Sequence, residues 1–401
     1  MIRVRAENNA IMLWNRAKAS TAFISGKEME ALDVWTKNGH ETGFISRLKR
    51  LGFIDETIKA DIADSVSESA TKQAPLHSFC APESLHIELT SRCALHCKQC
   101  YKGSADDNDI SHSKLQQFIT EAEVMKVFQI ALGGGEPLLY PHLADVVSDI
   151  SRRGMSVSVT TGGVGLDAVT LNVLGEAGLN HIQVSLNGAD EQTNAFSRDG
   201  YSQALASLRL LSGHGMSFGI NWVARMDNID NLPEIISLTK TLNAGNINIL
   251  RYKPSPNEEY DKIKLTDEKY RLLISIIKQT KGIAIKTDSA FSNLLCAINN
   301  RGSKFGGCGA GRRFMAINSQ GNCSPCSHTR LSSPVVSLYD YWYKSPELQM
   351  FRETERYVSE PCSSCAYLSS CRGCRVVCNN FYDGEKDCPF AKQAERERKL
   401  G

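Results

Sequence analysis

The feature that most constrains the fold of this chain is the alternation of strand-like and helix-like segments between residues 81 and 290. Apolar segments predict six strands, and segments with helical periodicity that end in glycine predict the helices between them. The predicted strands span 85–89, 127–132, 156–160, 181–186, 217–223 and 246–250. Strand followed by helix, repeated about six times, indicates a parallel sheet, either doubly wound or curved into a β/α barrel. Both arrangements place chemistry at the C-terminal ends of the strands.

Cysteine is the unusual component of the composition. Of fourteen cysteines, four precede residue 290 and ten lie between Cys296 and Cys388. The N-terminus has no apolar stretch long enough for a secretory signal, so we expect a cytoplasmic protein, in which disulfides rarely persist. Clustered cysteines in that compartment favour ligation of a metal or a cofactor.

Charge and hydropathy exclude two classes of partner. The 46 Lys and Arg residues nearly balance 44 Asp and Glu residues, whereas a dedicated nucleic-acid binder usually carries a basic excess. No apolar run reaches the roughly 18 residues of a membrane span. We therefore expect neither a nucleic-acid partner nor a membrane partner.

The loop after the first predicted strand carries Cys93, Cys97 and Cys100 in a Cys-x3-Cys-x2-Cys spacing. Three thiolates on one short loop suit a [4Fe–4S] cluster, and the iron that lacks a protein thiolate is open to a substrate or cofactor. Zinc is the alternative, although structural zinc prefers four ligands in two separated pairs. The spacing therefore favours an iron–sulfur site.

Glycine-rich segments follow the next two strands. In GGGEP at 133–137, glycines let the backbone approach a ligand closely, and Glu136 offers a carboxylate to an ammonium group. A second segment, GVGLDA at 163–168, is similar to a dinucleotide-binding loop, but Asn187 stands where that fingerprint has an acidic residue. The dinucleotide interpretation is therefore the weaker one.

Taken together, the cysteine loop and these strand-end motifs resemble the radical S-adenosylmethionine (radical SAM) enzymes over roughly residues 85–255. The resemblance implies a partial (β/α)6 barrel over residues 81–290, with one [4Fe–4S] cluster on the cysteine loop. Glu136 matches the motif that contacts the SAM amino group, and Arg198 matches the arginine that pairs with the SAM carboxylate. Asn187 departs from the family's Asp, and the family's Thr-Asn-Gly is Thr-Thr-Gly-Gly here. The implied SAM contacts are Tyr101, Gly134, Gly135, Glu136, Thr160, Ser185, Asn187, Arg198 and Arg251.

The cysteines of residues 291–401 are similar in spacing to the SPASM domain, which follows many radical SAM domains and carries two auxiliary [4Fe–4S] clusters. With the first cluster, the resemblance implies three in all. The candidates for auxiliary cluster I are Cys308, Cys323, Cys326, Cys374 and Cys378, with Cys374 and Cys378 as alternatives for one position. The implied ligands of auxiliary cluster II are Cys362, Cys365, Cys371 and Cys388.

Some residues of this segment allow more than one interpretation. Two zinc knots are the alternative to the auxiliary clusters, because Cys-x2-Cys pairs are typical of zinc. Cys80 and Cys296 are predicted to be ordinary buried thiols. Arg312 and Arg313 either raise the potential of a nearby cluster, hold a substrate carboxylate or face solvent. His328 is either a ligand, a proton acceptor or a surface histidine.

Residues 1–80 are predicted to form a small module, with two short helices and a strand between residues 21 and 54 and a polar linker over 55–80. This pattern resembles a winged-helix module. One interpretation is a packing domain. The other is a peptide-docking domain whose edge strand accepts a further strand.

The resemblance implies cleavage of SAM to methionine and a 5′-deoxyadenosyl radical, which abstracts hydrogen from an unactivated carbon. We predict a maturase that forms a carbon–carbon or thioether crosslink in a ribosomally made precursor peptide, with an electron donor such as flavodoxin or ferredoxin. One alternative oxidises Cys or Ser in a protein client, as sulfatase maturases do. Others are a small-molecule enzyme of the haem-side-chain type and a non-catalytic metal-binding scaffold.

Overall fold

A computed structural model of the chain describes residues 1–103, 107–299, 307–378 and 380–391. The described part contains a small N-terminal sheet with helices, a large sheet covered by helices, and a cysteine-rich C-terminal segment. Among the described helices, none combines the length and the apolar character needed to cross a membrane.

The N-terminal module is an antiparallel sheet of three strands followed by three helices. Its elements are β1 Ile2–Glu7, β2 Ala10–Asn15, β3 Ser20–Ser25, α1 Lys27–Asn38, α2 Gly43–Arg50 and α3 Lys59–Ser69. Trp35 and Ile45 are fully buried in its core, and the Thr42 side chain caps α2 by accepting from the Ile45 backbone N–H at 3.3 Å. The two predicted short helices are therefore present.

One sequence-based prediction for this module is wrong, and two of its strands were not predicted. In β1, charged residues interrupt the apolar pattern, and β2 is the apolar segment AIMLWN. Arg5 and Glu7 are nevertheless buried, and they form an ion pair at 2.7 Å. The segment predicted as a linker contains α3, which buries Ile62 beside the small polar residues Ser65 and Ser69. Its polar composition concealed the helix.

The large sheet has ten strands, in the order β10-β9-β8-β7-β6-β5-β4-β11-β12-β13. Strands β4 to β10 are parallel, and each pairs with the next along the chain. This sequential order identifies a partial barrel, because the strand order of a doubly wound sheet reverses. The strands are β4 Ser84–Thr90, β5 Gln129–Gly134, β6 Ser156–Thr161, β7 His181–Ser185, β8 Phe218–Ala224, β9 Asn246–Arg251, β10 Ala284–Thr287, β11 Phe314–Ile317, β12 Asn322–Ser324 and β13 Ser333–Pro334.

All six predicted barrel strands are confirmed, with ends shifted by one or two residues. A seventh parallel strand, β10, was not predicted, since it has four residues and is exposed at alternate positions. At the other edge, β11 pairs with β4 in parallel. The cysteine-rich segment therefore contributes a strand directly to the barrel sheet.

Helices cover this sheet, and the apolar side chains of both form one core. The remaining helices are α4 His112–Val124, α5 Leu143–Arg152, α6 Ala168–Glu176, α7 Glu191–Ala195, α8 Tyr201–His214, α9 Leu232–Thr241, α10 Tyr260–Ile263, α11 Asp267–Gln279, α12 Ser292–Asn299, α13 Leu338–Lys344, α14 Pro346–Arg352, α15 Thr354–Tyr357 and α16 Leu368–Cys371. Ser111, Asp167 and Asp190 cap α4, α6 and α7 through their side chains. Apolar residues fill this core, and polar residues lie at the ends of the strands.

The N-terminal module packs at the end of the barrel where the strands begin. Trp14 stacks on Phe128 with ring centroids 6.1 Å apart, and its indole N–H donates to Ser156 Oγ at 3.1 Å. The Arg5 guanidinium donates to the Pro82 carbonyl at 2.8 Å. Phe128, Ser156 and Pro82 lie at or just before the first residues of their strands. The module is thus remote from the loops predicted to carry the chemistry.

Candidate active site

A cavity of about 1190 Å³ occupies the barrel interior and opens at the C-terminal ends of the strands. The cysteine loop after β4, the glycine-rich loop after β5 and part of the cysteine-rich segment line it. Every residue predicted to contact SAM lies on this cavity: Tyr101, Gly134, Gly135, Glu136, Thr160, Ser185, Asn187, Arg198 and Arg251. The barrel therefore brings together residues that are up to 150 positions apart in the chain.

The three cysteines that follow β4 are partly exposed, and all line the cavity. The backbone N–H of Leu95 donates to Cys93 Sγ at 3.4 Å, and burial raises the pKa of the Cys93 thiol. Ser255 holds the end of the loop by donating to the Cys100 carbonyl at 3.1 Å. These contacts hold the backbone of the loop in place, and Cys93, Cys97 and Cys100 all face the same cavity.

The glycine-rich loop runs directly against the cysteine loop, which explains its composition. Gly134 has φ of 133°, and a Cβ atom there would lie 2.2 Å from the Thr90 carbonyl oxygen. A Cβ atom on Gly135 would lie 2.2 Å from the Arg92 carbonyl oxygen. Side chains at these positions would force the two loops apart, so both glycines are required by the close approach.

Glu136 is fully buried at the start of the turn after β5. Its carboxylate accepts hydrogen bonds from Thr161 Oγ1 at 2.7 Å and from the Gly162 backbone N–H at 2.8 Å. Burial raises the pKa of Glu136, while these hydrogen bonds and the nearby Arg198 guanidinium oppose the rise. The carboxylate is thus held in one orientation in the wall of the cavity.

Comparison with known proteins agrees with this geometry. Residues 87–239 match the sequence model of the Radical SAM superfamily. This part of the chain is a radical SAM domain. The chain is also 27% identical to the PqqA peptide cyclase of Gluconobacter oxydans (strain 621H) over 302 residues, which cover 71% of this chain and 82% of that protein.

Solved structures show the same fold. Streptococcus suis SuiB bound to S-adenosylmethionine has a TM-score of 0.75 at 18% identity, covering 96% of this chain and 98% of SuiB. The structure of anSMEcpe with bound AdoMet has a TM-score of 0.61 at 16% identity, covering 78% of this chain and 95% of anSMEcpe. The similarity to SuiB thus extends over nearly the whole chain, including the N-terminal module.

Arg198 is a cationic residue on the same cavity. It lies on the cavity close to Glu136, and among the described residues no carboxylate lies within ion-pair distance of its guanidinium. A guanidinium that has no carboxylate at ion-pair distance is suited to a bidentate contact with a ligand carboxylate. Glu136 and Arg198 together therefore complement the two charged groups of an amino acid.

Asn187 borders the cavity, and protein groups hold its amide in place. The side-chain nitrogen donates to Gln99 Oε1 and Ser197 Oγ, both at 2.7 Å, and the oxygen accepts from the Val223 backbone N–H at 3.1 Å. The contact between Asn187 and SAM stays a prediction, for which the amide oxygen keeps one lone pair. Asn187 also positions Gln99, a cavity residue on the cysteine loop that sequence reasoning missed.

Arg251 has a further role that the sequence did not indicate. Its guanidinium pairs with the Glu385 carboxylate, with one Arg251 nitrogen 3.1 Å from Glu385 Oε2, and both side chains are about nine-tenths buried. It further donates to the Ala290 carbonyl at 3.2 Å. Because Glu385 belongs to the cysteine-rich segment, Arg251 joins that segment to the barrel, while its contact with SAM stays a prediction.

Tyr101 is held by protein groups on the cavity wall. Its hydroxyl donates to Glu88 Oε1 at 2.7 Å, and its ring lies 4.3 Å from the His328 ring. His328 is therefore a cavity residue, and burial lowers its pKa well below the usual value. Sequence reasoning missed Glu88 and its neighbour His86, although polar residues at alternate positions of β4 are the signal of side chains inside a barrel.

Cys308, Cys326 and Cys374 line the same cavity as the cysteine loop. Their charges interact with one another, and burial raises the pKa of Cys308 to about 12 and that of Cys326 to about 11. Of the two alternatives for the third position of the predicted auxiliary set I, Cys374 is the one that lines this cavity. Cys378 is absent from the described cavity lining and interacts with Cys362 and Cys374.

Cys323 is not a ligand candidate, and this prediction is wrong. It is fully buried in β12, and it packs in the hydrophobic core of the barrel. Its charged neighbours are Lys114, Glu121 and Glu347 rather than thiols. The strand β12, which pairs with β11 in antiparallel orientation, places Cys323 in the core. Cys326 lies only three residues further along the chain.

A second thiol group lies away from the cavity, in the turns that follow Pro361. Interactions between neighbouring thiols connect its members, which are Cys362, Cys365, Cys371 and Cys388. Among the described residues, no three thiol, imidazole or carboxylate groups converge closely enough to hold one metal ion.

Proposed function

We propose that this chain is a radical SAM maturase that forms a carbon–carbon or thioether crosslink in a ribosomally synthesised precursor peptide. The observation that carries the proposal is one cavity lined by the cysteine loop, by Glu136 with Arg198 and by a second set of thiols. The curated relative is a peptide cyclase, and SuiB has been solved with its precursor peptide SuiA. Peptide modification is therefore common to the relatives of this chain.

The residues of the cavity divide the task of binding SAM. Cys93, Cys97 and Cys100 would hold a [4Fe–4S] cluster, which supplies reductive cleavage of SAM for hydrogen abstraction from the peptide. Glu136 accepts hydrogen bonds from the SAM ammonium group, and Arg198 binds its carboxylate. The ribose and adenine lie near Thr160 and Ser185, whose side chains are polar and free to contact them.

We propose three clusters in total. Auxiliary set I is Cys308, Cys326 and Cys374, and auxiliary set II contains Cys365, Cys371 and Cys388.

Forming a crosslink removes two hydrogen atoms from the peptide, so one electron must leave after the first hydrogen is abstracted. A cluster at set I would face the same cavity and would be the nearest acceptor for that electron. A one-electron donor such as flavodoxin or ferredoxin would reduce the first cluster.

The N-terminal module supports a peptide substrate. Among the described residues, β3 pairs only with β2, so its other edge is open to a further strand. A small pocket of about 250 Å³ lies beside it and is lined by Phe23, Arg312 and Arg313. Arg313 also borders the large cavity and pairs with Glu83. We propose that a leader segment of the peptide docks along β3.

The alternative of a maturase that oxidises Cys or Ser in a protein client fits the barrel and the thiol sets equally well. The similarity to anSMEcpe covers 78% of this chain, whereas the similarity to SuiB covers 96%. The similarity to SuiB is thus the more extensive one, and SuiB has been solved with a precursor peptide, which favours the precursor peptide as substrate.

Metal analysis of anaerobically purified protein tests this proposal. Three clusters predict about twelve irons and twelve sulfides per chain, and about eight of each in a variant with Cys93, Cys97 and Cys100 replaced by Ala. The variant should form no 5′-deoxyadenosine from SAM with dithionite. Persistent 5′-deoxyadenosine in the variant, or zinc in place of iron in the wild type, contradicts the proposal.

Product analysis separates the two maturase reactions. The chain is co-expressed with each short open reading frame that flanks its gene, and the peptides are analysed by tandem mass spectrometry. A crosslink appears as the loss of two hydrogen atoms with suppressed fragmentation between two residues. Conversion of a Cys or Ser to an aldehyde would instead support the alternative.

A further inference from the structure

A fifth thiol adjoins the second auxiliary set. Cys296 lies on α12, the helix that follows the last barrel strand, and only 5% of its surface is exposed. Its thiol is hydrogen bonded to that of Cys371, and it interacts with Cys365 and Cys388. The sequence-based prediction of an ordinary buried thiol does not hold for Cys296, since its surroundings are three other thiols.

The helix α12 directs several polar groups at this set. Ser292 Oγ lies 3.5 Å from Cys371 Sγ, and Asn293 Nδ2 lies 3.8 Å from Cys388 Sγ. Ser292 and Cys296 are four residues apart and therefore occupy one face of the helix. This face meets α16, the helix that ends at Cys371. The helix thus contributes hydrogen-bond donors and a thiol to the same group of sulfur atoms.

Cys362 is in a different situation, although the spacing of the motif includes it. The Glu385 backbone N–H donates to Cys362 Sγ at 3.3 Å, and the strongest charged neighbours of the thiol are Arg375 and Glu385. Cys378 is also close to Cys362. Cys362 thus interacts with Cys371 as well, but its neighbours include a backbone N–H and charged side chains, whereas Cys296 interacts with three thiols.

We propose that Cys296 is a ligand of auxiliary cluster II and completes a four-thiolate set with Cys365, Cys371 and Cys388. A [4Fe–4S] cluster normally takes four cysteine ligands, so five adjacent thiols leave one outside. The thiol of Cys296 would lose its proton on ligation, as metal-bound cysteines do. This inference rests on the proposed function, because it assumes that the second set holds a cluster.

Three alanine variants of the full chain, purified without oxygen, test the assignment. Cys296→Ala should lose about four irons and four sulfides per chain, together with one electron paramagnetic resonance signal of the reduced protein. Cys362→Ala should retain the wild-type iron content and signals. Cys80→Ala is the matched control, because Cys80 is equally buried but lies outside both thiol sets. Wild-type iron content and signals in Cys296→Ala would overturn the inference.

A second variant covers the case in which Cys296→Ala does not fold. Cys296→Ser keeps the size of the side chain and can still hydrogen bond to Cys371. Serine is a poor cluster ligand, so we expect the signal of one cluster to shift or vanish while the other two persist. An unchanged spectrum overturns the inference. Wild-type protein with fewer than twelve irons, in contrast, would contradict the three-cluster proposal itself, so the two failures are distinguishable.

Discussion

At the scale of single residues, the site depends on polar side chains whose environment the barrel determines. The place of Glu136 on the cavity was predictable through the resemblance of GGGEP to a family motif, whereas glycine-rich turns after strands are too common to indicate a site by themselves. The protein partners of Asn187 and Arg251 were not predictable, since Gln99 and Glu385 come from distant parts of the chain. A motif gives the location of a side chain, whereas its partners decide which of its hydrogen bonds remain for a ligand.

Glu136→Gln should weaken SAM binding by about 10- to 100-fold, because it removes a charge-assisted hydrogen bond to the ammonium group. Isothermal titration calorimetry of anaerobic protein measures the dissociation constant. The glutamine retains the shape of the side chain, so iron content should not change. Unaltered affinity would show that the ammonium group binds elsewhere.

The pH dependence of SAM binding follows from the same residue. Burial raises the pKa of Glu136, so its carboxylate takes up a proton at a higher pH than an exposed glutamate does. Because the charged form attracts the ammonium group, SAM affinity should fall as the pH is lowered through this raised pKa. The Glu136→Gln variant should not show this fall. Equal pH profiles for both proteins would assign the titration to another group.

Asn187→Ala should lower the free energy of unfolding by about 1–3 kcal/mol, since it leaves the partly buried Val223 N–H and the Gln99 side chain without their partner. Denaturant unfolding of the protein measures this loss. Ser197→Ala, which removes only one of the three contacts, serves as the milder comparison. If the two variants lose equal stability, the network does not act through Asn187.

At the scale of elements, the six barrel strands were easier to predict than the elements of the N-terminal module. The six apolar barrel strands are long and continuous, so their hydrophobic pattern identifies them. The strand β1 is concealed by Arg5 and Glu7, which are buried as a pair against the barrel, and α3 is concealed by its serines. Local periodicity cannot reveal an element whose polar residues are neutralised by tertiary contacts.

Helix α12 supports a prediction about redox tuning. Asn293→Leu removes the N–H donor to Cys388 Sγ. Such hydrogen bonds favour the reduced, more negative cluster, so the midpoint potential of one auxiliary cluster should become more negative by about 20–60 mV. Potentiometric titration followed by electron paramagnetic resonance measures the shift. The potential of the SAM-binding cluster is the internal control, and a shift there instead would contradict the assignment.

At the scale of the whole molecule, the barrel and the cysteine-rich segment are joined by polar contacts as well as by the shared sheet. The family resemblance indicated both parts but not how they meet, because the Arg251–Glu385 pair spans 134 positions of sequence. The pairing of β11 with β4 was likewise not readable from local pattern. Long-range pairings of this kind depend on the complete fold.

Breaking the Arg251–Glu385 pair should therefore destabilise the protein strongly. Arg251→Met leaves the Glu385 charge buried without its partner, so we expect a loss of about 3–5 kcal/mol. The double variant Arg251→Met/Glu385→Leu should recover much of that loss, because it removes both charges. Thermal unfolding of the iron-loaded proteins measures the difference. Additive losses in the double variant would show that the two residues act independently.

The position of the N-terminal module has a consequence for which residues of a peptide react. A leader held on β3 is anchored at the end of the barrel opposite the cysteine loop, and only the chain between anchor and cavity sets how far the peptide reaches. The number of residues between the leader and the target would then determine which residue is modified, rather than recognition of the side chains around the target. Adding residues to that spacer would move the modification along the peptide by the same number of positions.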